Sequence, residues 1–149
     1  MGRFDFVPSV LTELGAKLVF NKVAQRPGRP MWFGLSARGK PIFALPGNPV
    51  STLVCATRYL VPALRHAAGL ASARPELVEI TAAIEASPTL TVFIPVTVSS
   101  SAHALLHATP HLTNTSGDFV ALAGTHGFVE LAAKNGSHPA GTVARLFRW

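Results

Sequence analysis

At Ala71-Ser-Ala-Arg-Pro75 the hydrophobic pattern of the chain changes period, and that change limits the fold more than any other feature. Before it, apolar residues recur at helical spacing between short extended runs; after it, only short runs rich in Val, Ile, Thr and Phe remain. The pattern predicts an α/β part over residues 1–71 and an all-β part over 72–149. In the first part, Val7, Val10, Leu11 and Leu14 share a helical stripe, with Asp5 as the candidate N-cap and Gly15 as the stop. Strands are predicted at 17–24, 31–35 and 41–45. A longer helix is predicted over 46–69, capped by Asn48, with Pro49 in its first turn and Gly69 at its end; Pro62 predicts a kink or two consecutive helices. In the second part, strands are predicted at 77–86, 91–98, 103–108, 118–122, 127–133 and 142–147, which close most easily as a small barrel or a sandwich.

Charge divides at the same place. Residues 1–71 hold nine Lys or Arg against Asp5 and Glu13, whereas 72–149 hold four against five acids, so the net +6 resides in the first part. Such asymmetry points to an anionic partner for that part or to a solvated basic surface. A content of 48% hydrophobic residues excludes a disordered chain. No apolar run reaches the roughly 20 residues of a membrane helix, and the opening residues lack a signal-peptide pattern. The expectation is a cytoplasmic protein that spans no membrane; the lone Cys55 allows no internal disulfide, which suits a reducing compartment.

Two segments carry chemistry. In Leu45-Pro-Gly-Asn-Pro-Val-Ser51 a strand turns sharply into a helix; Gly47 permits a close backbone approach, Asn48 caps, and the amides that follow, with the Ser51 hydroxyl, offer an anion site. The same residues also serve simply to start a helix. In Lys22-Val-Ala-Gln-Arg26-Pro-Gly-Arg29-Pro, an extended strand would set Lys22, Ala24 and Arg26 on one face, and the Pro27-Gly28 turn would bring Arg29 back toward them. Arginine grips oxyanions with a planar fork and lysine supplies a compact charge; edge-strand cations also guard a sheet against aggregation.

Taken in order and spacing, Lys22 with Arg26-Pro-Gly-Arg-Pro30 and then Ala44-Leu-Pro-Gly-Asn-Pro-Val-Ser51 resembles the molybdopterin molybdenumtransferase family, called MoeA in bacteria and the gephyrin E-domain in animals. Met1–Phe6, Thr115–Phe119 and Gly127–Leu131 extend the resemblance through the chain. It implies the C-terminal part of a MogA-like molybdopterin-binding domain, then a β-barrel, with the family's N-terminal portion absent and little activity expected from the piece alone. The implied reaction inserts molybdate into adenylylated molybdopterin, with Mg²⁺, and releases AMP. Catalytic roles fall on Lys22, Arg26 and Asp5; substrate contacts fall on Arg29, Pro46, Gly47, Asn48, Pro49, Ser51 and the barrel serine Ser116. Metal ligands are left unassigned. The family more often has lysine where Arg26 and Arg29 stand, and often an arginine on the barrel strand where this chain has Pro95. A homodimer through the α/β part is implied as well. The alternative is a non-catalytic protein-interaction module of the gephyrin E-domain type.

Other features read as structural. His103, His107 and His111 spread along an extended run rather than converging on a metal, and His66, His126 and His138 read as surface or loop residues. Cys55 reads as buried and inert, and Trp32 and Trp149 as packing residues. No nucleic-acid motif or aromatic stacking platform is present.

Overall fold

Glycines close both helical stretches where the sequence reading put the stops. In the computed structural model, which describes residues 6–111 and 119–149, α1 runs Val7–Glu13. Gly15 (φ +74°) ends it: its amide donates to Thr12 O, and that of Ala16 to Leu11 O, both at 2.9 Å. The N-cap is Phe6 rather than Asp5, which lies outside the described residues. Strands β1 (Lys17–Asn21), β3 (Trp32–Leu35) and β4 (Pro41–Ala44) form an antiparallel sheet in the order β1-β3-β4, while β2 (Gln25–Arg26) belongs elsewhere. β1 stops short of the predicted 24 because Lys22 takes φ 73°, which turns the chain out of the sheet.

The predicted 46–69 helix is α2 (Pro49–Cys55), a wider π turn over Ala56–Leu60, and α3 (Val61–Ala67). Pro62 sits in the first turn of α3. Inside a continuous α-helix its ring would collide with the carbonyl four residues back, so the widened turn just before it absorbs the conflict. Gly69 (φ +72°) then ends α3 as Gly15 ends α1, with the Leu70 amide donating to Arg65 O at 3.0 Å.

The second part contributes β5 (Glu76–Ile80), β6 (Ile84–Glu85), β7 (Thr91–Ser100), β8 (Leu106–Pro110), β9 (Gly127–Leu131), β10 (Ser137–His138) and β11 (Val143–Arg148). One sheet runs β2-β7-β8-β5-β11-β9, and β7 pairs with β9 as well, so the sheet closes on itself with β2 attached outside the ring. Five of its six strands therefore make the barrel, and β6 with β10 forms a separate ribbon. The predicted 118–122 strand is not formed among the described residues: Val120–Leu122 is a 3₁₀ turn, and residue 118 is outside them. The predicted 103–108 strand starts at Leu106, after a turn in which Ala104 takes φ 59° and Ser101 bonds Leu105.

Strand alternation sorts the barrel's side chains onto two faces. Ile94 and Val96 of β7, Val129 and Leu131 of β9, and Ala144 and Leu146 of β11 point inward with Val78, Ile80 and Ala108. Phe93, Phe128 and Phe147 point outward and pack with Val54 of α2. The Phe93 and Phe128 rings meet edge to face at 5.4 Å, and Phe128 stacks on Phe147 at 5.2 Å. Beside them the Arg58 guanidinium donates to Glu130 at 3.2 Å and lies over Phe147. This aromatic seam fixes the helical segment against the barrel.

Trp32 is buried, while Trp149 is partly exposed, donates to Thr125 Oγ1 at 3.0 Å and packs on Phe128. His111 meets Thr97 Oγ1 at 2.6 Å, and no group of three metal-ligating side chains gathers among the described residues. His138, read from sequence as a surface or loop residue, is instead buried, in register with Ile84 across the β6–β10 ribbon and with Nε2 3.0 Å from Ala132 O. Among the described residues no helix is long and apolar enough to cross a membrane.

Candidate functional site

The pairing of β2 with β7 seats the arginine segment on the barrel, where Val54 of α2, just beyond the second motif segment, also packs. Gln25 and Arg26 lie in parallel register with Thr91 and Val92, and the Thr91 amide donates to Ala24 O at 3.0 Å. The loop that follows, with a cis Arg26–Pro27 bond, is closed by the Val23 amide on Arg29 O at 2.9 Å. Across from it the Leu45–Ser51 turn is tied by Thr52, whose hydroxyl bonds Pro46 O and, at 3.0 Å, Asn48 O. Asn48 has the extended backbone of an N-cap (φ −73°, ψ 125°), but its side chain makes no bond to the helix amides; the Thr52 hydroxyl fastens this turn instead.

Between these segments lies a cavity of about 610 Å³. One wall is Gln25–Pro30, a second is Pro46-Gly47-Asn48 with Val50, Ser51 and Val54, and the base is Val92–Pro95 of β7 with Phe128. Arg26 and Arg29 both line it, both are exposed, and neither guanidinium has a hydrogen-bonded or ionic partner among the described residues. Among the described residues no carboxylate lines the cavity. The two ion pairs among the described residues, Arg58–Glu130 and Arg148–Glu76, involve none of its lining residues. The floor is apolar: Phe93, Phe128 and the buried Pro95 stand there, and Pro95 brings no charge from the barrel side. Such a space suits a flat, partly apolar guest carrying oxyanion groups.

The predicted convergence of three cations is corrected. Lys22 is exposed and does not line the cavity, because its positive φ breaks the strand that would have aligned it with Arg26. Pro46, Gly47, Asn48 and Ser51 line it and Pro49 does not; Asp5 and Ser116 lie outside the described residues. Gly47 has no positive φ, and a Cβ there would meet no atom within 4 Å, so its bareness leaves the mouth open rather than relieving crowding.

Sequence reasoning missed Gln25 and Tyr59. Gln25 is buried beneath the arginine loop and accepts a hydrogen bond from the Tyr59 hydroxyl across 34 residues of sequence. Nothing in the sequence between Ala24 and Arg26 signals that Gln25 is buried. Cys55 is buried as expected, and burial pushes its thiol up to about 11.

Comparison with known proteins adds an independent line. A family model described as a probable molybdopterin binding domain matches residues 1–66. A molybdopterin molybdenumtransferase of Synechocystis is 38% identical over 149 residues, covering 99% of this chain and 36% of that protein. One from Synechococcus elongatus is 48% identical over 65 residues, 43% of this chain and 16% of that protein. Among solved structures, the molybdopterin biosynthesis MoeA protein from Pyrococcus horikosii superposes with a TM-score of 0.76 at 27% identity, covering 97% of this chain and 34% of that one. The chain thus spans about a third of the length of the relatives it matches end to end.

Proposed function

We propose, from the premise that this chain is a MoeA-type segment of the molybdopterin molybdenumtransferase family, that its cavity holds the anionic parts of adenylylated molybdopterin during insertion of molybdate and release of AMP. The supporting observation is the pair Arg26 and Arg29, whose guanidinium groups have no partner among the described residues and stand on a cavity whose described lining holds no carboxylate. Each guanidinium grips a phosphate or molybdate oxygen pair bidentately, and the apolar floor of Phe93, Pro95 and Phe128 takes the ring system. As substrate departs toward AMP, the same forks hold the leaving phosphate.

Lys22, Asp5, Pro49 and Ser116 enter this reading on the family resemblance alone. Mg²⁺ is a different matter. A hard cation needs several oxygen ligands, usually carboxylates, and the described lining offers two arginines and no acid. The described residues therefore do not fit a resident Mg²⁺, and no step is assigned to it. The reading also includes a division near residue 71, a cytoplasmic setting, and a homodimer formed through the α/β part, where Leu18, Val19 and Phe20 of β1 are exposed. A monodisperse monomer in light scattering would remove the dimer.

Calorimetric titration of the chain with AMP tests the core of the proposal. Arg26→Ala and Arg29→Ala are each expected to weaken binding by about tenfold, as loss of a charge-assisted bond does. A double variant that binds as the parent does would overturn it. In a molybdate-insertion assay the 149-residue chain is expected to turn over far more slowly than a full-length relative.

A further inference from the structure

Beneath the arginine loop lies a buried polar group that the cavity's own lining chemistry does not explain. Gln25 is 1% exposed, yet its amide is fully engaged. The Tyr59 hydroxyl donates to its Oε1, and its Nε2 donates to Pro27 O at 2.9 Å and to Cys55 Sγ at 3.6 Å. The Cys55 thiol donates in turn to Gly28 O at 3.6 Å. With the Val23 amide on Arg29 O, the successive carbonyls of Pro27, Gly28 and Arg29 are all held from inside the loop. Gly28 (φ +94°) leaves no slack: a Cβ there would stand 2.6 Å from Cys55 Sγ and 2.7 Å from Gln25 Nε2.

The partners come from separate elements that meet behind the cavity. Gln25 is paired to β7 through its backbone, Cys55 ends α2, and Tyr59 lies in the π turn that follows. We propose that Gln25, Tyr59 and Cys55 form a buried clamp that fixes the loop between Arg26 and Arg29, and so act as positioning residues for anion binding; this rests on the reading of the cavity given above. Breaking one bond strands a buried donor or acceptor, and the loop moves to find water.

AMP titration of the full chain, with melting followed in parallel, tests the clamp. Gln25→Met keeps the volume but removes the bonds and is expected to weaken AMP binding about tenfold; Tyr59→Phe is expected to weaken it about threefold. Cys55→Ser keeps a donor in an apolar setting, whereas Cys55→Val keeps the packing without a donor. The clamp predicts that serine retains affinity at a lower melting temperature and that valine retains stability but loses affinity. If affinity simply follows melting temperature across the variants, or if Gln25→Met binds AMP as the parent does, these residues only pack and the proposal falls. Should Gln25→Met not fold, Tyr59→Phe and the Cys55 pair decide. A parent chain that does not bind AMP sinks the cavity reading and the clamp with it. Loss of binding in Arg26→Ala and Arg29→Ala, with the clamp variants unaffected, sinks the clamp alone.

Discussion

The barrel and the three-stranded sheet solve the edge problem in opposite ways. In the barrel β7 pairs with β8 on one side and β9 on the other, the ring closes, and most of the inward-facing residues of its core are almost wholly buried. In the β1-β3-β4 sheet, β1 is an open edge whose residues are all exposed, Leu18 and Val19 at 50% and 54%. α1 likewise buries none of its residues. Closure lets a small sheet make its own core; an open sheet of three strands leaves apolar side chains facing outward. The site lies at the junction of the two, where a short strand from the open region is added to the closed one.

That contrast can be broken by deleting the same ring in each region. Phe128→Ala removes a fully buried side chain from the aromatic seam and is expected to cost about 3–5 kcal/mol in denaturant unfolding. Phe20→Ala, in β1, removes a ring that is 39% exposed and stacked on Phe33, so its cost is expected below about 2 kcal/mol. Equal losses would mean that the sheet is as tightly integrated as the barrel, and the contrast would fail.

The smallest expected effects are pH dependences of opposite sign. Burial raises the Cys55 thiol from 9.0 to about 11, and burial also raises Tyr59 above its usual 10.0. Between these limits the unfolded chain binds fewer protons than the folded one, so the contribution is complete below pH 9 and is lost as pH rises through about 11. In the barrel the hydrogen bond from Arg148 lowers Glu76 below its usual 4.5, so that contribution is present above pH 4.5 and is lost as pH falls through the lowered value. The pair is exposed, and its effect is expected to be slight. Unfolding midpoints across pH, with Cys55→Ala expected to flatten the alkaline limb, sharpen the comparison.

Much of the fold was legible because its causes are local. Gly15 and Gly69 stop helices by adopting positive φ, Pro49 begins one, and Pro62 disturbs one, all through contacts within a few residues. Alternation located most barrel strands for the same reason. It failed at Val120–Leu122, where a run of apolar residues fits a 3₁₀ turn as well as a strand. Lys22 was misread because nothing in the residue type announces a positive φ.

By itself, then, the sequence determined the glycine stops of the helices, the change to β structure near residue 71 and the two segments rich in cations and turn residues. Only the tertiary structure decided that the barrel closes between β7 and β9, that β2 is added to β7, that Arg26 and Arg29 rather than Lys22 border a cavity, and that Gln25 reaches Tyr59 beneath them. The physical reason is range. Periodicity and capping act over one or two turns of chain, whereas closure, burial and a hydrogen bond spanning 34 residues depend on which distant surfaces pack together.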